Sequence, residues 1–371
     1  MSIARTDNST LGRWWWTVDR WTLLALMVLA TIGVVLAMAA SPPVAERIGL
    51  DSLHFVRRQA AYLPVALLVM VGVSLLSPVG ARRLATIVFL GAVLMLVATL
   101  MVGTEIKGAR RWISIAGFSL QPSEFVKPAF AVVCAWMFAA SRLGEDVPGN
   151  RIAFMLFALV AGLLLLQPDV GQALVVSAVW FSQWFLAGLP MIWVAVTIGM
   201  GIAGLTAAYF IFPHVASRID RFIDPASGDS YQVDRAMEAF MNGGMWGRGP
   251  GEGTVKANLP DAHADFILAV AGEEFGLILC LVIVALFGFV VLRGIVNLMR
   301  TTDLFVVVAA TGLLVQFALQ ALINMGSTTS LMPTKGMTLP FISYGGSSLL
   351  ALAFGMGILL ALTRRRAGGT P

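Results

Sequence analysis

Long apolar runs, separated by short polar segments, dominate the pattern along this chain. A window of roughly 17–25 residues, the length of a membrane-spanning helix, isolates ten of them. We place them at 22–40, 60–77, 84–103, 124–140, 152–166, 170–187, 190–212, 266–292, 304–325 and 345–362. The pattern therefore predicts an all-α polytopic membrane protein of about ten transmembrane helices, with a long outer loop between helices 7 and 8.

The ends and the long loop complete the predicted organisation. We expect one membrane domain over residues 1–371, with an arm at 1–21, the long loop at 213–265 and a tail at 363–371. The arm and the tail both carry arginines, which favour the cytoplasmic side, so both termini are expected to be cytoplasmic. The loop is too short for an independent globular domain and is expected to lie on the outer membrane surface.

Composition agrees with a membrane protein and adds a question about charge. Hydrophobic residues make up 58% of the chain and charged residues 12%, about half the charged share of a soluble domain. On this topology twelve basic residues fall in the inner segments and twelve in the outer loops, so the positive-inside rule is overridden outside. Either these cations pair with nearby acids such as Glu105 and Asp220, or they face an anionic ligand, of which phosphate is the obvious candidate.

The densest polar chemistry lies beside the eighth apolar run, in KANLPDAHADFILAVAGEEFG (256–276). Pro260 and Asp261 end the preceding structure, and His263 and Asp265 precede an apolar run that enters the bilayer. Asp265 thus lies where a helix begins at a membrane surface. It is either an N-cap, the commonest role for Asp at that position, or a catalytic carboxylate.

Two further polar groups enter predicted spans. Pro122 begins a helix whose first turns carry Glu124 and Lys127 on one face. Charges at that depth are costly, so the pair either faces a functional cavity or joins two helices as a structural ion pair. Asp169, in a tight turn between two spans, either caps the sixth helix or faces the same cavity.

The remaining polar segments predict backbone features. The glycine-rich GGMWGRGPGEG (243–253) predicts a mobile turn and, lacking a terminal Lys-Ser/Thr, no nucleotide site. MPTKGMTLPFISYGGSS (332–348), which contains Lys335, predicts broken backbone that helps to wall a cavity. Cys134 and Cys280 fall inside spans without metal-ligand spacing, so packing is their expected role.

Several of these stretches together resemble the SEDS (shape, elongation, division and sporulation) family of bacterial cell-wall synthesis. The resemblance runs in order through KGARRWI and QPSEFVK, QPDVGQ, LPDAHADFILAVAGEEFG and PTKGMTLPFISYGGSS, and covers nearly the whole chain. Thr334, Lys335 and Gly336, before Leu339 and Pro340, look more like the division branch than the elongation branch.

The resemblance implies a peptidoglycan glycosyltransferase that polymerises lipid II, an undecaprenyl-pyrophosphate-linked disaccharide-pentapeptide, at the outer leaflet. Asp265 matches the family's catalytic carboxylate and would be the general base, with inversion at MurNAc C1 and undecaprenyl pyrophosphate leaving. The predicted substrate-binding residues are Arg111, Glu124, Lys127, Asp169, His263 and Lys335. The chain departs from the family at Ala264, where Thr is usual, at Asp261, where Glu is usual, and at Lys107, where Asn is common.

The resemblance also sets expectations for cofactors, partners and location. A divalent cation, Mg²⁺ or Mn²⁺, is a candidate, with Asp265 and Glu124 as its candidate ligands, and no organic cofactor is expected. The partners expected are a class B penicillin-binding protein and other division membrane proteins, with no nucleic acid. The location expected is the cytoplasmic (inner) membrane at the division septum. The alternative function is a lipid II flippase, because intramembrane acids, broken helices and a basic cavity also describe a transporter.

Overall fold

The computed structural model describes residues 9–106, 109–115, 118–224 and 231–364, which form a helical bundle with a small sheet at one end. The helices are α1 (Thr10–Thr17), α2 (Arg20–Arg47), α3 (His54–Ser74), α4 (Pro78–Val102), α5 (Pro122–Arg142), α6 (Gly149–Leu166), α7 (Val170–Leu186), α8 (Met191–Ile211), α9 (Pro213–Ile223), α10 (Tyr231–Gly243), α11 (Ile267–Leu298), α12 (Leu304–Thr328) and α13 (Gly346–Leu362). The strands are β1 (Thr104–Ile106), β2 (Ala109–Ile115) and β3 (Phe118–Leu120), and a short 3-10 helix covers Val255–Asn258. Lys107 lies outside the described residues.

Ten of these helices coincide with the ten predicted spans. Within the described ranges, eight are long and apolar enough to cross a membrane, and α7 and α13 are shorter apolar helices. The predicted fold class, an all-α polytopic membrane protein, is confirmed. The predicted long loop contains α9, α10 and the 3-10 helix.

The eighth predicted span is not one continuous helix. Gly276 interrupts α11 with φ 77° and ψ −177°, so a short helix precedes the break and a long apolar helix follows it. The backbone after α10 fills the break: Arg248 N–H donates to Glu273 O at 2.9 Å, and Leu277 N–H donates to Gly244 O at 2.9 Å. These bonds replace the helical bonds lost at Gly276, so residues 267–275 belong to the structure built on the long loop.

The core is built around α5, α12 and α13. Nearly every residue of α13 is buried, and the fully buried large side chains of α5 and α12 include Phe130, Phe138 and Phe317. By contrast, Ala208 is the buried residue of α8, which therefore lies at the periphery of the bundle.

The two ends of the bundle differ. At one end, Asp19 before α2 pairs with Arg293 near the end of α11 at 2.8 Å, and Arg364 donates to Thr17 Oγ1 at 3.1 Å. This end therefore holds both ends of the described chain. At the other end lie the antiparallel sheet, in which β2 pairs with β1 and β3, together with α9 and α10.

Candidate functional site

A cavity of about 580 Å³ opens at the end of the bundle that carries the sheet. It is formed where the segments that follow α4, α6, α8, α10 and α12 meet. Its lining includes Ala109, Arg111, Trp112, Pro168, Phe212, Pro213, His214, Arg218, Gln232, Asp261, Ala264, Asp265, Phe266, Ser327, Thr334, Lys335 and Gly336. Segments far apart in sequence therefore share one cavity.

Asp265 lies half-buried in the turn that precedes α11 and faces this cavity. Its backbone oxygen accepts a hydrogen bond from the Asn324 amide at 2.9 Å, and the same amide donates to Met337 O at 2.6 Å. One side chain of α12 thus fixes both the turn and the following loop. The N-cap position of α11 is Phe266, so Asp265 does not hold it.

Gly336 lies directly against the Asp265 carboxylate. A Cβ atom at Gly336 would lie 3.1 Å from Asp265 Oδ2, which is tighter than an ordinary contact. A glycine here therefore lets the loop approach the carboxylate closely.

Arg111, on β2, is held against the turn between α6 and α7. Its Nε donates to Gln167 O at 3.2 Å, its terminal nitrogen donates to Pro168 O, and it lies 3.8 Å from the Asp169 carboxylate. These contacts fix the guanidinium at the cavity wall. Arg111 and Asp265 therefore line one cavity, although they lie far apart in sequence.

Asp169 caps α7, as one sequence alternative held, and it reaches the cavity only through its pairing with Arg111, because Asp169 itself is not among the lining residues. Its Oδ1 accepts from Gln172 N–H at 3.3 Å as the N-cap of α7, while its Oδ2 faces Arg111. A single carboxylate thus caps the helix and orients the arginine.

Lys335 enters the cavity across the first turn of α7. A Cβ atom at Gly171 would lie 1.0 Å from Lys335 Nζ, so the ammonium occupies the space that the missing side chain leaves. Burial lowers the pKa of Lys335 to about 8; Asp169 opposes the shift, and the cations Arg218, Arg111 and Lys127 add to it. The amine is therefore held in a positively charged neighbourhood.

Glu124 and Lys127 form a buried ion pair that does not line the cavity. The Lys127 ammonium lies 3.0 Å from Glu124 Oε1 and 3.3 Å from Gln320 Oε1, and Gln172 donates to Glu124 at 2.7 Å. Gln320 in turn donates to Ser348 Oγ at 3.2 Å. The pair thus connects α5, α7, α12 and α13 beside the site.

His263 is placed away from the cavity lining. Its ring stacks on Phe55 with centroids 4.0 Å apart and lies 5.4 Å from the Tyr344 ring. Burial lowers the pKa of His263 to about 4, with Asp261 opposing and Arg47 adding to the shift. Its Nδ1 is buried without a partner among the described residues. The imidazole is therefore neutral and part of an aromatic cluster, and its predicted substrate contact stays a prediction.

Sequence reasoning did not single out Arg218 and His214, which α9 brings into the cavity. Burial lowers the pKa of Arg218, Arg111 and Arg221 lower it further, and Asp265 opposes them. Burial likewise lowers the pKa of His214, and Arg218 adds to the shift. A feature that could have identified them is RIDR (218–221), where two outer cations lie on an amphipathic helix directly after a span.

The described residues contain no group of three or more His, Cys, Asp and Glu side chains that could hold a metal ion. Glu124, one predicted ligand, is engaged by Lys127 and Gln172, whereas Asp265 lines the cavity. The two carboxylates therefore do not form a chelating pair here. A divalent cation at this site stays a prediction.

The charges at the cavity suit an anionic ligand beside a base. Arg111, Arg218 and Lys335 supply cationic donors, and Asp265 supplies a carboxylate in the same chamber. Fixed cations stabilise a phosphate or pyrophosphate group, and a carboxylate can accept a proton from a bound hydroxyl.

This chain is similar in sequence to several known proteins. The family model FTSW_RODA_SPOVE, described as cell cycle protein, matches residues 20–368. A protein of Caulobacter vibrioides named probable peptidoglycan glycosyltransferase FtsW is 47% identical over 99% of this chain and 94% of its own length. The relative of the same name in Escherichia coli O6:H1 is 32% identical over 93% of this chain and 85% of its own length.

Solved structures show the same architecture. A chain from a peptidoglycan synthase complex, described as coordinating polymerization and crosslinking, superposes with a TM-score of 0.77 at 26% identity, over 93% of this chain and 97% of its own. Thermus thermophilus rod shape determining protein RodA superposes with a TM-score of 0.65 at 26% identity, over 93% and 96% of the two chains. With the family model matched over most of its length and relatives up to 47% identical, this chain belongs to the SEDS family of cell-cycle membrane proteins.

Proposed function

We propose that this protein is a peptidoglycan glycosyltransferase that polymerises lipid II into glycan strands during septal cell-wall synthesis. The observation that carries the proposal is that Asp265, Arg111, Arg218 and Lys335 line the same cavity. The relatives named FtsW support the reaction class and the division role. On this proposal the cavity end of the bundle faces outward, and the end that holds both ends of the described chain is cytoplasmic.

In the proposed reaction Asp265 is the general base. It accepts the proton of the acceptor GlcNAc 4-hydroxyl as that oxygen attacks C1 of the donor MurNAc. The new glycosidic bond forms as the bond from C1 to the pyrophosphate oxygen breaks, which inverts C1. Undecaprenyl pyrophosphate leaves with the bonding electrons. The half-buried position of Asp265 on the cavity wall is suitable for this proton transfer.

The three cavity cations would bind the pyrophosphate and stabilise the charge that develops on it. Arg111 is fixed by two backbone carbonyls and by Asp169, so it is preorganised before the substrate arrives. Preorganised charges contribute most to such steps because they need no reorientation in the transition state. Lys335 and Arg218 approach from other elements, which allows them to surround the leaving group.

The other predicted residues would act through these groups. Asp169 orients Arg111, and the pair of Glu124 and Lys127 supports the first turn of α7 through Gln172. We also propose a class B penicillin-binding protein as the partner, since a solved relative comes from a peptidoglycan synthase complex.

The test is glycan polymerisation from labelled lipid II by the purified full chain, with its class B partner present. We expect polymer from the wild type and at least a 10²-fold loss in Asp265→Asn, roughly the contribution of a general base. Asp303→Asn is the matched control, because it removes the same charge at the N-cap of α12 and Asn caps helices equally well.

A parallel assay of lipid II movement across vesicles separates the transport alternative. If the wild type moves lipid II without forming polymer, the transferase proposal fails. Polymer formation by Asp265→Asn at the wild-type rate would refute the role of the base.

A further inference from the structure

Glu273 is a fully buried carboxylate that lies outside the cavity lining. It lies on the short helix of α11 that precedes the break at Gly276. Its Oε1 accepts from the backbone N–H groups of Thr254 and Val255 at 2.8 Å and from the Asn242 amide at 2.9 Å. Its Oε2 accepts from Lys256 N–H at 2.8 Å. Both oxygens are therefore engaged, mostly by backbone.

These backbone donors belong to the start of the 3-10 helix Val255–Asn258. Its own N-cap residue, Thr254, makes no side-chain cap hydrogen bond, so Glu273 satisfies the free N–H groups from another helix. Hydrogen bonds from N–H groups to a charged acceptor are stronger than those to a neutral one, and a buried donor left without its acceptor destabilises the fold. Glu273 therefore determines where the 3-10 helix begins.

The segment between that helix and Glu273 carries Asp265. It runs from Asn258 through the turn at 261–266 and returns along α11. Glu273 therefore joins the two ends of this segment through its bonds to residues 254–256. Leu259 and Ala262 are fully buried, and Arg47 donates to Leu259 O at 3.3 Å, which leaves the segment little freedom between its anchors. Asp265 lies on the cavity side of this closed segment.

A close backbone contact brings the fourth donor to Glu273. A Cβ atom at Gly243 would lie 1.9 Å from Gly272 O, so α10 and α11 approach here as only glycine allows. Asn242 is the preceding residue, and its amide thereby reaches the carboxylate. The end of α10 and the segment that carries Asp265 are thus joined at Glu273.

We propose that Glu273 is a positioning residue for Asp265: it holds together the two ends of the segment that carries Asp265 and so determines where the general base lies in the cavity. This inference rests on the proposed transferase function. Glu273 touches no substrate and acts only through the backbone of residues 254–265. Its loss therefore lowers the rate of the chemical step without weakening lipid II binding.

Glu273→Gln is the main test. The amide retains one oxygen acceptor but turns an NH₂ group toward Lys256 N–H, so the two joined ends of the segment must shift relative to each other. Misplacement of a catalytic group by about 1 Å can cost about 10²-fold. We expect kcat for polymerisation to fall at least tenfold, with KM for lipid II within about twofold of the wild type.

Asp19→Asn is the control for loss of a hydrogen-bonded carboxylate. Asp19 also accepts several hydrogen bonds, including those from Arg293 at 2.8 Å and Asn297 at 2.7 Å, but at the opposite end of the bundle. We expect it to lower the melting temperature in detergent and to leave kcat within about twofold. Hydrogen exchange should increase at residues 254–265 in Glu273→Gln and not in the control.

The outcomes separate the two proposals. A wild type without polymerase activity would refute the proposed function itself. An active wild type with an unchanged kcat in Glu273→Gln would refute the positioning role alone, as would an equal loss of kcat in Asp19→Asn. If Glu273→Gln does not fold, Glu273→Asp decides, since it keeps the charge and withdraws it by one methylene group. A folded Glu273→Asp with wild-type kcat would also overturn the inference.

Discussion

Replacement of Gly171 by alanine would displace a cation of the cavity, the Lys335 ammonium, without changing Lys335 itself. The added Cβ would lie 1.0 Å from Lys335 Nζ and 1.2 Å from its Cε, so the end of the lysine side chain must move. The lysine end is flexible, and the backbone of α7 need not shift. The perturbation therefore acts on the position of one ammonium group.

The size of the effect follows from the distance that the ammonium must move. Normal contact distances of about 3.5–4.0 Å require a displacement of roughly 2.5–3 Å. Moving a cation from about 4 to about 7 Å from a pyrophosphate charge weakens their attraction by about 2 kcal/mol at an effective dielectric constant near 20. That is a loss of roughly 20-fold to 30-fold in rate. Stability should hold or rise, since alanine is favoured over glycine in a helix by about 0.5–1 kcal/mol.

The assay is polymerisation of labelled lipid II together with the melting temperature of the purified variant. Gly162→Ala on α6 is the matched control, because no described atom beyond its chain neighbours and the nearby backbone of α6 lies within 4 Å of its added Cβ. It should gain the same helical stability and keep wild-type activity. In a Lys335→Ala background, Gly171→Ala should cause little further loss, since the cation is already absent.

Two results would refute this reasoning. Wild-type activity in a folded Gly171→Ala protein would show that the position of Lys335 does not matter for the rate. A full additional loss in the Lys335→Ala background would show that Gly171→Ala acts through another group.

Three further predictions test the site and its support. Because burial lowers the pKa of Lys335 to about 8, polymerisation should decline as pH rises through that value and the cation is lost. Lys335→Arg should move this decline above about pH 10, and an unchanged pH–rate profile would contradict the assignment. The pKa of His263, near 4 when folded, lies below its unfolded value, so the fold should lose stability as pH falls from about 6.5 toward 4. In His263→Phe the melting temperature should change less with pH in that range, and the polymerisation rate should stay within about threefold of the wild type. If the melting temperature still falls as steeply with pH, another group causes the loss of stability. Glu124→Gln strands the buried Lys127 charge and should cost about 3–5 kcal/mol, measured by denaturation, whereas adding Lys127→Met should recover most of it. A double variant no more stable than the single one would exclude the pair as the cause.

Much of the architecture follows from local pattern. The ten apolar helices were predictable because a membrane requires long runs of apolar residues, whatever the partners of those runs. The helix start at Pro122 and the cap at Asp169 were also predictable, since they depend on a few neighbouring residues.

The break at Gly276 was not visible in the apolar pattern. The run continues through the glycine, and the bonds that replace the helical ones come from residues 244–249 on a distant loop. Glu273 and Glu274 fall inside the predicted span 266–292 for the same reason, although the structure places them before the break. Hydropathy reports how apolar a segment is and not which backbone completes its hydrogen bonds.

The sequence by itself determined the membrane-spanning class, the order of the helices and the residue types available for chemistry. Only the tertiary structure decided which of them meet: Arg111 and Arg218 join Asp265 in one cavity, whereas His263 turns to an aromatic cluster. The physical reason is that helix formation and membrane insertion depend on neighbours along the chain. The direction in which a side chain points depends on contacts between segments that are far apart along the chain.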